Sequence, residues 1–247
     1  MNPLLLVFVA GLWAGTQNAL AGGGSFATLP ALMLSGLDAR AANIASTLAL
    51  FPAQVTTGWV GRRTVAGAGG LSFGAMSAIS LVGGGLGALL LLSTPSSFFA
   101  RLIPWLVLFA TSLFAYGSFV PRKAAAAPQA GRWGTAAIQL LIAIYGGYFG
   151  GGIGFLMLAA LTMAGLAMKP AGATKNVLAG VINASAVAIF VFTPHLPWDR
   201  VAVLCVGGVI GGYVGAHLLD RVDDRLIRGL VVALGVCLTI GLFWRAS

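Results

Sequence analysis

The residues best placed to do chemistry in this chain are two glycine runs and the polar side chains near them. Gly22, Gly23, Gly24, Ser25 and Phe26 lie inside an apolar stretch from Leu4 to Leu37. Gly150, Gly151, Gly152, Ile153, Gly154 and Phe155 lie inside a second, from Thr135 to Met168. Three consecutive glycines disfavour an unbroken helix, having the most backbone freedom to lose and no side chain to shield the backbone. At membrane depth, broken backbone is tolerated only where protein covers it or where it lines a polar cavity. Each break would leave a half-helix N-terminus with free N–H groups and partial positive charge, which suits an anion. Two breaks in equivalent places of two halves point to a transporter's substrate site. The plain alternative is close helix packing through small residues; the repetition favours the break.

Polar residues surround both runs. Gln17 and Asn18 precede the first, and Tyr145 and Tyr148 precede the second. The next apolar segment of each half holds Asn43, Ser46, Thr47 and Gln54, or Lys175, Asn176, Asn183 and Ser185. Neutral donors suit a small oxyanion that must also leave, because they bind without a deep charge trap. The candidate substrate-binding set is therefore Gln17, Asn18, Gly22, Gly23, Gly24, Ser25, Asn43, Ser46, Thr47, Tyr148, Gly150, Gly151, Gly152, Asn176 and Asn183. Each has a plainer role to weigh. Thr47 and Ser185 can bond the carbonyl four residues back, Asn183 can tie helices together, and the tyrosines can pack. Lys175 reads first as a helix-end charge that snorkels to the interface.

What is missing narrows the chemistry. The chain has no Glu, and Asp38, Asp199, Asp220, Asp223 and Asp224 all fall at loops, so a carboxylate proton relay is absent. No HExxH, GxSxG or Walker A motif occurs, so an enzyme is not expected, and neither is a cofactor or a metal. Cys205 and Cys237 lack metal-ligand spacing and read as packing residues, while His195 and His217 sit near loop ends. The net charge of +9 is scattered over short loops and forms no patch for nucleic acid.

The elements that position these residues are membrane spans. Of the 247 residues, 59% are hydrophobic and 8% charged, with a mean hydropathy of +0.97. Charge-free windows of about 20 residues recur along the chain, the mark of a polytopic all-α membrane protein. Residues 1–21 imitate a signal peptide ending Ala19-Leu20-Ala21, but no Lys or Arg precedes the apolar core, so they are kept as mature chain. The first stretch, 4–37, would make a helix about 51 Å long, too long for one crossing of a roughly 30 Å core. Broken at its glycines it becomes a hairpin. Repeat 1 (1–120) then holds the hairpin 4–37 and spans 42–60, 69–92 and 98–120. A cytoplasmic linker covers 121–133. Repeat 2 (134–247) holds the hairpin 134–168 and spans 173–192, 199–219 and 226–244.

Positive charges test that layout. If each long segment crossed once, seven Lys and Arg would fall on either side. With hairpins, Arg62, Arg63, Arg122, Lys123, Arg132, Lys169, Lys175, Arg221, Arg225 and Arg228 share one side. Arg40, Arg101, Arg200 and Arg245 take the other. Ten against four is a positive-inside bias, so the hairpins are preferred. The second half then enters from the opposite side, which makes the halves inverted repeats with both termini periplasmic. The halves align at an offset of 128 for the glycines, 129 for Phe26 with Phe155, and 130 for Leu48-Ala49 with Leu178-Ala179. The last offset sets Ser46 opposite Asn176 and Ala53 opposite Asn183.

At these residues the chain resembles the TauE/SafE family of sulfite exporters, also called TSUP. The matching features are the first glycine run with Pro30, its partner Gly146–Phe155, and the Ala-rich polar segments Ala41–Gln54 and Ala173–Ser185. The resemblance implies transport of small sulfur-containing anions such as sulfite, sulfoacetate or other organosulfonates across the bacterial inner membrane. The expectation is a secondary transporter working by alternating access, linked to the proton-motive force, in a lipid bilayer. Protons and a second copy of the chain are further partners it allows. An uncoupled anion channel and a non-transporting scaffold are the rival expectations.

Overall fold

A computed structural model describes residues 2–20, 23–119, 131–218 and 224–246. Among them are ten α-helices and no strand beyond an isolated bridge between Ala68 and Leu71. In order they are α1 (Pro3–Leu20), α2 (Ser25–Leu34), α3 (Ala39–Gly61), α4 (Phe73–Ser93) and α5 (Ser96–Phe119), then α6 (Arg132–Tyr148), α7 (Ile153–Met163), α8 (Met168–Phe190), α9 (Trp198–Leu218) and α10 (Asp224–Ala246). The lengths repeat: 18, 10, 23, 21 and 24 residues, then 17, 11, 23, 21 and 23.

Each expected break falls at its glycines. Gly152 takes positive φ (+74°) directly before α7, and Gly23 (+84°) does so two residues before α2 begins. An L side chain rarely adopts that backbone, which is why glycine stands there. Gly36 and Gly165, at φ +100° and +96°, end those helices in the same way. All these pairs are 129 apart, as are both ends of α3 and α8 (168 − 39 and 190 − 61). This register replaces the 130 offset expected within the polar helices. It sets Thr47 opposite Asn176 and Gln54 opposite Asn183.

Two expected span starts move: α4 begins at Phe73 and not at 69, behind a turn through Gly69 and Gly70, and α8 begins ahead of 173. Lys169 and Pro170 were expected to close the second hairpin, with a span starting near 173. They instead lie in the first turn of α8. Proline is tolerated there because its missing N–H has no intrahelical acceptor to lose. Most of the linker, 120–130, and the charged segment 219–223 lie outside the described residues.

Three described helices, Phe73–Ser93, Ser96–Phe119 and Met168–Phe190, are long and apolar enough by length and composition to cross a membrane. Leu81, Val82, Leu89 and Leu90 of α4 are exposed, as are Val206, Val209 and Ile210 of α9. An outer surface so apolar belongs against lipid. With lipid as apolar as leucine, helix association there must come from close packing.

Glycine seams provide it, and they join the two halves. Helix α1 runs parallel to α9 through Gly11 and Gly15 against Gly207, Gly208 and Gly211. Its counterpart α6 runs parallel to α4 through Gly147 against Gly83, Gly84 and Gly87. A Cβ on Gly11 would lie 2.6 Å from the Leu204 carbonyl oxygen, so the backbones meet without side chains between them. The Thr16 hydroxyl sits 2.9 Å from the Leu12 carbonyl and 3.0 Å from that of Gly211, adding a polar tie. Helices α3 and α8 cross as antiparallel neighbours: Gln54 meets Asn183, and Gly58 meets Asn176 and Val177. Helix α5 packs on α10.

Candidate functional site

The two breaks meet around one ring. Phe26, at the start of α2, and Phe155, at the start of α7, both pack edge-on against Phe114 of α5. The centroid distances are 6.4 and 4.3 Å, with interplanar angles of 88° and 64°. Phe114 is fully buried, so the starts of α2 and α7 flank the centre of the core.

The first break is closed by its own half. Asn18 lies at the end of α1, and its Oδ1 accepts from the Gly24 N–H at 2.7 Å. A side-chain oxygen thus occupies one of the donors a helix start leaves over. A Cβ on Gly23 would lie 3.1 Å from Gln17 Nε2, so buried Gln17 lines the same turn. Gly22 lies outside the described residues. Ser25, the first residue of α2, is partly buried. Across from it, the hydroxyls of Thr28 (α2) and Ser46 (α3) share a buried hydrogen bond of 2.6 Å.

The second break is braced by the first half. Asn43 of α3 donates from Nδ2 to the Tyr148 carbonyl, 3.1 Å away, at the C-terminus of α6. That carbonyl is among those a broken helix orphans, and both residues are buried. Tyr148 sets its ring edge-on to Phe99, and its hydroxyl lies 3.4 Å from Thr94 Oγ1. The Tyr145 hydroxyl donates to the Gly151 carbonyl at 2.7 Å, holding the turn between Gly150 (φ +79°) and Gly152.

Two candidates of the following helices have structural partners. Thr47 bonds the Asn43 carbonyl at 3.0 Å, the four-residue back-bond. Asn183 donates to Gln54 Oε1, joining two equivalent positions where α3 crosses α8. Asn176 and Lys175 differ: both are partly buried on α8, and neither side chain makes a hydrogen bond or ion pair among the described residues. Lys175 lies over the first turn of α7, where a Cβ on Gly154 would be 3.8 Å from both its Cδ and its Nζ.

Sequence reasoning missed three positioning residues. Thr28 was overlooked, though its place on α2, three residues past Ser25, could have suggested it. Gln54 was named but left out of the set, and an offset of 130 paired Asn183 with Ala53 in its place. Arg40, counted only as a loop charge, caps α4 through Nη1 to the Thr94 and Leu92 carbonyls at 2.8 and 3.3 Å. Nothing local signals that contact, since the partners are more than fifty residues away.

Comparison with known proteins bears on the same features. The family model described as sulfite exporter TauE/SafE matches residues 7–242. A probable membrane transporter protein of Haemophilus influenzae is 27% identical over 97% of this chain and 94% of its own length. The probable membrane transporter protein YfcA of Escherichia coli K12 is 26% identical over 99% of this chain and 91% of its own. The probable membrane transporter protein ORF9 of a Sinorhizobium species is 28% identical over 97% and 92%. No solved structure gives a significant match.

Proposed function

The chain belongs to the TauE/SafE sulfite exporter family of membrane transporters, and from that premise we propose that it is a secondary transporter of small sulfur-containing anions such as sulfite, sulfoacetate or related organosulfonates. It works in the bacterial inner membrane by alternating access, with both termini periplasmic and its halves inverted. The observation that carries this function is the pair of glycine breaks whose short helices start on either side of Phe114. Broken helices meeting in a covered core are how a transporter places backbone donors around a substrate.

The antiparallel crossing of α3 with α8 supports the inversion. If each long apolar segment crossed once, these two helices would run the same way. With hairpins they run oppositely. The seams α1–α9 and α4–α6 each join one half to the other. Rocking of one sequence half on the other would tear both, so the moving bodies are the seamed pairs against the rest. No carboxylate falls within an apolar segment, so proton coupling is carried by the protonation state of the anion itself.

The test is a ligand-dependent melting shift of the purified protein with sulfite, sulfate, thiosulfate, sulfoacetate, taurine and simple carboxylates. A ligand at a hundred times its Kd adds about 2.7 kcal/mol, a readable shift. Selective stabilisation by a sulfur oxyanion is expected, weakened in Asn176→Ala, whose side chain makes no hydrogen bond among the described residues. No shift with any of them would sink the substrate class. Counterflow in proteoliposomes then separates a carrier from an uncoupled channel, because a simple pore shows no trans-stimulation.

A further inference from the structure

The two breaks are alike in backbone and unlike in charge. At the register of 129, Ser25 and Ser46 in the first half correspond to Gly154 and Lys175 in the second. Where the first half puts two hydroxyls, the second puts a hydrogen atom and an ammonium group. The lysine stem lies over the first turn of α7, in ordinary van der Waals range of where a Cβ on Gly154 would stand.

Lys175 is the eighth residue of α8, about 10 Å along the helix from Met168. A cation inside an apolar segment is expensive unless it is paired or reaches water. Lys175 makes no ion pair or hydrogen bond among the described residues. The chain offers no carboxylate within any apolar segment: Asp38 is bound to the N–H groups of Arg40 and Ala41 as the cap of α3, and Asp199 is exposed at the start of α9. Asp224 is the first residue of α10, and Asp220 and Asp223 lie outside the described residues. The neighbouring Asn176 amide likewise makes no hydrogen bond among the described residues.

Resting on the anion-transport function above, we propose that Lys175 is the charge-bearing contact for the transported anion, its ammonium taking an oxyanion head as counter-ion beside the second glycine break while Asn176 supplies a neutral donor. A lone ammonium is a point charge with rotatable donors and no fixed fork, so it suits a small tetrahedral or pyramidal oxyanion better than a planar carboxylate. It also makes the site lopsided: hydroxyls at one break, a charge at the other. The anion is therefore held more tightly when it faces the second break.

The experiment compares wild type, Lys175→Met, Lys175→Arg and the control Lys169→Met, each as full-length protein in detergent and in proteoliposomes. The probes are sulfite and sulfoacetate, with acetate as the planar comparison. Binding by Lys175→Met is expected to weaken about thirtyfold or more, the scale of losing one partner of a desolvated charge pair. Lys175→Arg should recover part of it, and Lys169→Met should bind as wild type. Without ligand, Lys175→Met should melt higher than wild type, since an unpaired charge has left the apolar layer; a merely structural lysine would melt lower. Wild-type binding retained in Lys175→Met overturns the assignment and leaves anion transport standing. A ligand-free melting temperature below wild type in that variant also overturns it. Absence of binding to wild type removes the substrate class, and the lysine's assignment falls with it.

Discussion

Asn43 and Thr47 stand one turn apart on α3, and their hydrogen bonds give them different weights. Asn43 is the donor for a buried carbonyl at the end of α6, which a truncation would leave unsatisfied. Asn43→Ala is expected to lower stability by about 1–3 kcal/mol, read as a drop in melting temperature. The Thr47 hydroxyl bonds only its own helix. Thr47→Val should change stability by less than about 0.5 kcal/mol. If it abolishes sulfite binding instead, the hydroxyl leaves the Asn43 carbonyl for the anion. Both residues were legible as polar positions from their types alone. Their division of labour was not, because Asn43's partner is 105 residues away in sequence.

At the scale of elements, the many helical glycines fall into two groups that spacing cannot separate. Gly11 meets the α9 backbone, and its Cβ would lie 2.6 Å from one carbonyl oxygen and 3.2 Å from the Gly207 Cα. Gly180 of α8 has nothing within 4 Å of where its Cβ would stand. Gly11→Ala should therefore pry α1 from α9 and destabilise by about 1–3 kcal/mol, the usual effect of overpacking. Gly180→Ala should stabilise by roughly 0.5–1 kcal/mol, since alanine has less backbone freedom to lose in a helix. Thermal melts of the two variants should move in opposite directions. Equal shifts would mean that α1 and α9 are not seamed in the folded protein.

For the molecule as a whole, the direction of each helix across the membrane is the testable quantity. Trp59 and Trp133 are exposed near one set of helix ends, and Trp198 and Trp244 near the other, as interfacial tryptophans should be if hairpins separate the two faces. Single cysteines at Gly131, Ala167 and Ser97, all exposed, put this to a direct test in a background without Cys205 and Cys237. With hairpins, 131 and 167 label from the cytoplasm and 97 from the periplasm. A chain whose long segments each cross once would label 167 with 97.

That this is a helical membrane protein, where its helices break, and that their lengths recur along the chain could be read without the fold. Those properties follow from composition, from glycine's lack of a side chain and from period, all of which are local. Which candidate polar groups are tied up with one another emerges from the fold alone. Asn18, Asn43, Ser46 and Asn183 hold other parts of the chain, and among the described residues Asn176 and Lys175 do not. A hydrogen bond needs two groups within about 3 Å, and here most of those pairs are assembled by helices far apart in the chain. Whether Lys175 reads as a snorkelling end charge or as an unpaired cation over the second break depends on what surrounds it, and residue type alone does not carry that information.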